Sequence, residues 1–198
     1  MRRLSAPSCP AVQRPAAAVA VRGHYGPTCP LRPLRQRSTW LTFLPATHTV
    51  FDVARTVTHL IYTGALTRHP NLRIILPHAG GAVPALAWRI SAFAAQPALT
   101  PGAHLSPESV MAQLRGLYYD VALGANPHSL SALLELADPG HLLFGTDHPF
   151  SPEPLITANS RGLADYPGFS DHTPRAIAAD NALPLFPQLA ARLAPLTG

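Results

Sequence analysis

The sequence predicts an α/β domain in which parallel strands are joined by helical crossovers. Three observations carry that expectation. Short apolar runs at residues 72–76 (LRIIL), 117–122 (LYYDVA) and 141–144 (HLLF) alternate with stretches of helical periodicity. Each run is preceded by a turn or helix-stop signal and followed by polar or glycine-rich residues. The runs are nearly continuous in apolar character, the pattern of a sheet buried on both faces.

Taken in order, residues 1–15 read as irregular, 16–22 (AAAVAVR) as a short buried strand, and the Pro-, Arg- and Thr-rich stretch 26–46 as loop. From Val50, apolar residues recur at helical spacing through Phe51, Val53, Ala54, Val57, Leu60 and Ile61, and Gly64 is placed to end that helix. Arg68-His69-Pro70-Asn71 is a turn, and the strand 72–76 runs from it into Pro77-His78-Ala79-Gly80-Gly81. A helix over 83–95 follows. Ser106, Pro107 and Glu108 supply an N-cap, a first-turn proline and an acidic first turn to the next helix, which closes at Gly116. After the strand 117–122, Asn126-Pro127 opens another helix that stops before Asp138-Pro139-Gly140. The strand 141–144 leads into Gly145-Thr146-Asp147-His148-Pro149-Phe150. Helices are expected at 153–164 and at 173–192, the second broken by Pro184 and Pro187.

Composition narrows the function classes. The chain has 198 residues, 47% of them hydrophobic, enough for one domain with a substantial core. All 15 basic residues are arginine. Arg2, Arg3, Arg14, Arg22, Arg32, Arg35 and Arg37 lie in a segment without any acid, whereas the remainder is slightly acidic, so the sequence pI of about 9.9 describes the leader and not the domain. Two units are therefore expected: an Arg/Pro-rich, irregular leader at 1–46 and a domain at 47–198. The leader has no recognisable nucleic-acid-binding module, which argues against a nucleic-acid partner. No apolar run approaches the 18 or so residues of a membrane span. Cys9 and Cys29 form neither a disulfide framework nor a paired zinc motif, so a reducing, cytoplasmic setting is expected.

In parallel α/β folds, ligands bind beyond the C-terminal ends of the strands. His78 and Asp147 both stand just past a predicted strand, and Asp120 lies within or near the end of one. At such a place an imidazole can shuttle a proton or ligate a metal, and a carboxylate suits a divalent ion or a general base. The two glycines after His78 would let backbone approach a ligand closely. Structural readings stand beside these: a hydrogen-bonded histidine at a glycine turn, and an aspartate closing a turn before Pro149. His148 reads as a neighbour of Asp147, not a ligand. Asp120 needs a partner for its polar group, and Arg89 is available. Arg89 is equally suited to anchor a substrate carboxylate.

These residues spell a recognisable pattern. The segment 64–89, GALTRHPNLRIILPHAGGAVPALAWR, resembles the G-x-x-x-R-x-P-x-L-x-x-x-x-x-H-x-G-G-x-x-P-x-x-x-x-R block of the amidohydrolase-related family, which includes the aminocarboxymuconate-semialdehyde, γ-resorcylate and 6-methylsalicylate decarboxylases. YYDVA and HLLFGTDHPF look like the family's next two strands, and Asn181-Ala182 with Leu185-Phe186 resembles its closing N-A-x-x-L-F helix. The resemblance spans roughly residues 47–190, with three motifs in the expected order. It implies the C-terminal portion of a metal-dependent (β/α)8 TIM barrel, usually oligomeric, holding one divalent metal ion, zinc by expectation. It implies His78 as the active-site histidine, Asp147 as a metal ligand, and Arg89 as a substrate-carboxylate contact, reached in some members across a subunit interface.

The pattern also departs from the family. A complete barrel needs roughly 250 residues, and the N-terminal strands are expected to be missing, with the leader standing in place of barrel sequence. The family's H-x-H metal pair is absent from this sequence. Gly26 falls where a further metal histidine belongs, and His24, two residues away, is the substitute ligand the resemblance leaves. Three functional readings follow. The first is a metal-dependent decarboxylase of an aromatic or unsaturated carboxylic acid. The second is a hydrolase of a lactone or ester, acting through the same metal-bound water. The third is a half-barrel too poor in ligands to act.

Overall fold

The computed structural model describes residues 18–20, 47–100 and 105–193. His24 and both cysteines lie outside them. Four strands form one parallel sheet in the order β1-β2-β3-β4: β1 Ala18–Ala20, β2 Arg73–Leu76, β3 Tyr118–Asp120 and β4 Leu142–Leu143. Ala18 pairs with Arg73, Ile75 with Tyr118 and Tyr119 with Leu142. Spatial order follows chain order without reversal. A doubly wound sheet reverses at a switch point, whereas a barrel keeps adding strands on one side. The sheet is therefore a barrel segment, with the helices on one face.

The crossovers form where the apolar spacing places them. Helix α1, Thr49–Tyr62, buries Val53, Ala54, Val57 and Ile61. Gly64 stops it in the left-handed conformation (φ 70°), its N–H reaching the Ile61 carbonyl at 2.8 Å, and the short helix α2, Ala65–Arg68, leads to β2. Helices α3, Val83–Phe93, and α4, Pro107–Arg115, link β2 to β3. Ser106 caps α4 in a reciprocal pair with Ser109 (3.1 and 3.0 Å), so two otherwise unpaired N–H groups are satisfied. Helix α5, Pro127–Leu136, links β3 to β4 and is capped by Asn126, which accepts from the N–H groups of His128 and Ser129. Beyond β4 come α6, Glu153–Ala164, then α7, Thr173–Ala178, a 3-10 stretch Asp180–Leu185 and α8, Pro187–Leu193. Pro184 and Pro187 divide the last helical region as their missing N–H groups require.

The two sheet faces differ. Ile74, Leu76, Tyr119, Val121 and Leu142 point under the helices and are at most 2% exposed. On the other face Ile75, Tyr118 and Asp120 are only half-buried, and His141 stacks on the Tyr118 ring at 4.7 Å. Continuous apolar strands suggest burial on both faces, but among the described residues only the helix side is fully covered. The half-open face is the one a closed barrel would turn toward its axis. No described helix is long and apolar enough to cross a membrane.

Candidate active site

The loops leaving β2, β3 and β4 converge at one end of the sheet and bring His78, Asp120 and Asp147 together. Their backbone is unusual. The non-glycine residues with positive φ among the described residues are His78 (58°), Ala79 (56°), Leu123 (54°) and Asp147 (59°), all in these loops. Such conformations cost about 1–3 kcal/mol each and persist only where the surroundings fix them.

The fixing bonds are visible. The His78 carbonyl accepts the Gly81 N–H at 2.8 Å, and Pro77 accepts Gly80 at 3.0 Å. The His78 N–H donates to Asp120 Oδ1 at 3.2 Å, and the same oxygen accepts the Ala122 N–H at 2.9 Å. The carbonyl of Asp147 accepts the N–H groups of Phe150 and Ser151, and the buried Ser151 hydroxyl donates to Asp147 Oδ2 at 3.2 Å.

The His78 ring is held as well. Its Nδ1 lies 3.2 Å from the Ala122 carbonyl. A carbonyl only accepts, so Nδ1 carries a proton and Nε2 is left to exchange one. Burial holds the Asp120 carboxyl above the usual carboxylate range. The N–H groups of Ala122 and His78 and the charge of the His78 ring act against that shift, and the negative charge of Asp147 adds to it. Asp120 thus lies within electrostatic reach of both His78 and Asp147. Both Asp120 and Asp147 remain in partial contact with solvent.

Several expectations change in detail. Asp120 is satisfied by backbone N–H groups and not by Arg89. The Arg89 guanidinium lies on the exposed side of α3 over the Phe93 ring, 4.8 Å from its centroid. The glycines after His78 serve packing within the protein: a Cβ on Gly80 would fall 2.8 Å from the Tyr119 ring, and one on Gly81 2.5 Å from the Val50 carbonyl oxygen. His148 is exposed beside Asp147. Ser151 was not singled out by the sequence, although its four-residue spacing from Asp147 after a turn is a usable signal. A groove of about 640 Å³ between α1 and α3, lined by Phe51, Arg55, His59, Tyr62 and Leu99 among others, contains none of the three site residues.

Asp147 and the free nitrogen of His78 are donor types that suit a divalent transition metal. Among the described residues, however, no group of three or more His, Cys, Asp or Glu is arranged to hold one. Catalytic zinc sites use three protein ligands, so these two donors alone do not make one.

Comparison with known proteins identifies the family and agrees with the fold. The amidohydrolase family profile matches residues 24–188. The chain is 36% identical over 152 residues to 6-methylsalicylic acid decarboxylase of Penicillium expansum, covering 77% of this chain and 46% of that protein. It is 34% identical over 140 residues to decarboxylase yanB of Aspergillus niger, covering 69% and 37%. Among solved structures, dihydroxybenzoic acid decarboxylase of Polaromonas sp. JS666, which holds manganese and the inhibitor 2-nitroresorcinol, superposes with a TM-score of 0.60 at 21% identity, over 75% of this chain and 44% of that one. The chain spans less than half the length of each of these proteins.

Proposed function

The chain belongs to the amidohydrolase family, and from that premise we propose that it carries the proton-transferring part of a decarboxylase acting on a small aromatic carboxylic acid. The observation that carries the reading is the His78 ring. It is held at Nδ1 by the Ala122 carbonyl, and among the described residues Nε2 has no hydrogen-bond partner. Loss of carbon dioxide from an aromatic acid requires a proton to be delivered to the ring carbon that loses the carboxylate. A histidine fixed in one orientation suits that delivery: Nδ1–H stays on the Ala122 carbonyl, while Nε2 would take a proton from solvent water and pass it to the ring carbon as carbon dioxide leaves. The names of the relatives support the aromatic carboxylate as substrate class.

A divalent metal ion belongs to this proposal, with zinc as the expected ion and manganese in a solved relative. Asp147 would hold it, with His24 and donors beyond the described residues completing the set. When bound, it would polarise the substrate's carboxylate or neighbouring hydroxyl. Ser151 would keep the Asp147 carboxylate aimed by its hydrogen bond. Arg89, exposed on α3, would meet a substrate carboxylate in the site of a neighbouring copy, which makes a homo-oligomer part of the proposal.

The test is carbon dioxide release from 6-methylsalicylate and 2,6-dihydroxybenzoate by metal-reconstituted protein. His78→Asn is expected to lower kcat by about 10²–10⁴-fold. Ring opening of lactones without release of carbon dioxide would overturn the decarboxylase reading in favour of hydrolysis. A non-catalytic half-barrel is the second reading, favoured by the incomplete ligand set among the described residues. Failure to retain metal after reconstitution would decide for it.

A further inference from the structure

We infer that Asp120 is a positioning residue for His78: its carboxylate clamps two loops so that the imidazole is fixed as the Nδ1–H tautomer with Nε2 free. The clamp is a closed circuit of three hydrogen bonds. Asp120 Oδ1 accepts the His78 N–H at 3.2 Å and the Ala122 N–H at 2.9 Å. The Ala122 carbonyl then accepts Nδ1–H of the His78 ring at 3.2 Å. The backbone N–H of His78 is therefore tied to the end of β3 and its ring to the loop that follows, and Asp120 ties that loop to the strand.

Each part of the circuit has a physical demand behind it. His78 sits at φ 58°, a strained conformation that an acceptor for its N–H helps to hold. A charged acceptor gives a stronger bond than a neutral one. In water a neutral imidazole favours the Nε2–H form, so the opposite tautomer needs a fixed carbonyl facing Nδ1. The Ala122 carbonyl lies in the peptide after the one whose N–H Asp120 holds, so that bond anchors Ala122 from its N-terminal side and leaves the ψ of that one residue to aim the carbonyl. The strand end after β4 in turn confines the carboxylate: a Cβ on Gly145 would lie 3.2 Å from both Cγ and Oδ1 of Asp120. The use of the free Nε2 in catalysis rests on the decarboxylase reading; the clamp and the tautomer do not.

The test is long-range ¹H–¹⁵N correlation of histidine-labelled protein at a pH where imidazoles are neutral, with the His78 signals identified by their loss in His78→Asn. Wild-type protein is expected to show His78 as the Nδ1–H tautomer. An Nε2–H tautomer there overturns the inference without any further variant. Asp120→Ala is expected to lose the Nδ1–H signature. Asp120→Asn, whose side-chain oxygen can still accept both N–H groups, is expected to keep it. His141 is an internal control: its Nδ1 donates to the Leu117 carbonyl at 2.9 Å and should not respond to either substitution. Retention of the tautomer in Asp120→Ala, or its loss in Asp120→Asn, contradicts the clamp. Because no substrate is present, these outcomes are independent of whether carbon dioxide is released. A correct tautomer with no decarboxylation would sink the proposed function and leave the clamp standing.

Discussion

Gly81→Ala is the sharpest structural perturbation near this site. Gly81 adopts φ 58° and ψ −122°, a region that L-residues rarely enter. Its absent Cβ is also filled space: an ideal Cβ would fall 2.5 Å from the Val50 oxygen, 2.8 Å from Val50 Cα and 3.0 Å from the Val50 carbonyl carbon. These are backbone atoms of the first turn of α1, and they cannot swing aside as a side chain can. The same carbonyl accepts the Ala82 N–H at 3.2 Å, so the turn and the helix are bonded as well as touching. Backbone strain of about 1–3 kcal/mol and overpacking of about 1–3 kcal/mol give an expected destabilisation of about 2–6 kcal/mol. For a chain of this size each kcal/mol moves the melting temperature by about 2–4 °C, so a fall on the order of 5–20 °C is expected in thermal unfolding followed by far-UV circular dichroism. Gly116→Ala is the control. Gly116 has negative φ (−80°), and its added Cβ would meet nothing closer than 3.5 Å, so the change should lie within about 0.5 kcal/mol of wild type. Equal melting temperatures for Gly81→Ala and wild type would refute the reasoning.

Two further outcomes follow. Asp120→Asn should change stability in a pH-dependent way. Burial raises the folded-state value of Asp120 above the ordinary 3.8, so the wild-type contribution is fully present below that value and is lost as pH rises through the folded one. Asparagine has no such loss, so the difference between variant and wild type should move in favour of the variant from acid toward neutral pH; a flat difference refutes this. Asn181→Ala removes two bonds from one side-chain nitrogen, to the carbonyls of Pro139 and Leu142, both at 2.8 Å. It should cost about 1–3 kcal/mol by denaturant titration, and a cost below about 0.5 kcal/mol would count against the role given to this residue.

Local signals in the sequence were legible because their causes are local. The spacing of Val53, Ala54, Val57 and Ile61 marks α1, and the side chains of Ser106 and Asn126 bond their own helix starts within three residues. The predicted helix at 153–164 coincides with α6. The apolar runs exceed the paired strands: 117–122 contains β3 only at Tyr118–Asp120, and 141–144 contains β4 only at Leu142–Leu143. Val121, just past the paired residues, stays buried and still donates its N–H to the Leu143 carbonyl of β4 at 2.9 Å before the chain bends into the loop. His78 and Asp147 were placed by their positions after strands. The partner of Asp120 was not legible, because the His78 N–H that it accepts is 42 residues away and backbone donors leave no mark in a sequence. For the same reason Arg89 looked like a partner: a charged side chain is visible in a sequence and an oriented peptide N–H is not.

The bonds that hold the site run backward through the chain, and this gives the closing segment a part in it. His78, after β2, is held by Asp120 at the end of β3. Asp120 is confined by Gly145, just after β4. That strand end is itself fixed from behind: Phe144 N–H donates to the Ile177 carbonyl at 2.9 Å, and Asn181 donates to the Leu142 carbonyl. Each strand end is thus set by the element that follows it, and the residues after α6 complete the series without touching His78. A parallel sheet wound in one direction favours this arrangement, because each new strand lies beside the loop left by the one before. The Asn181 segment holds the strand end that confines Asp120, and Asp120 holds the backbone N–H of His78.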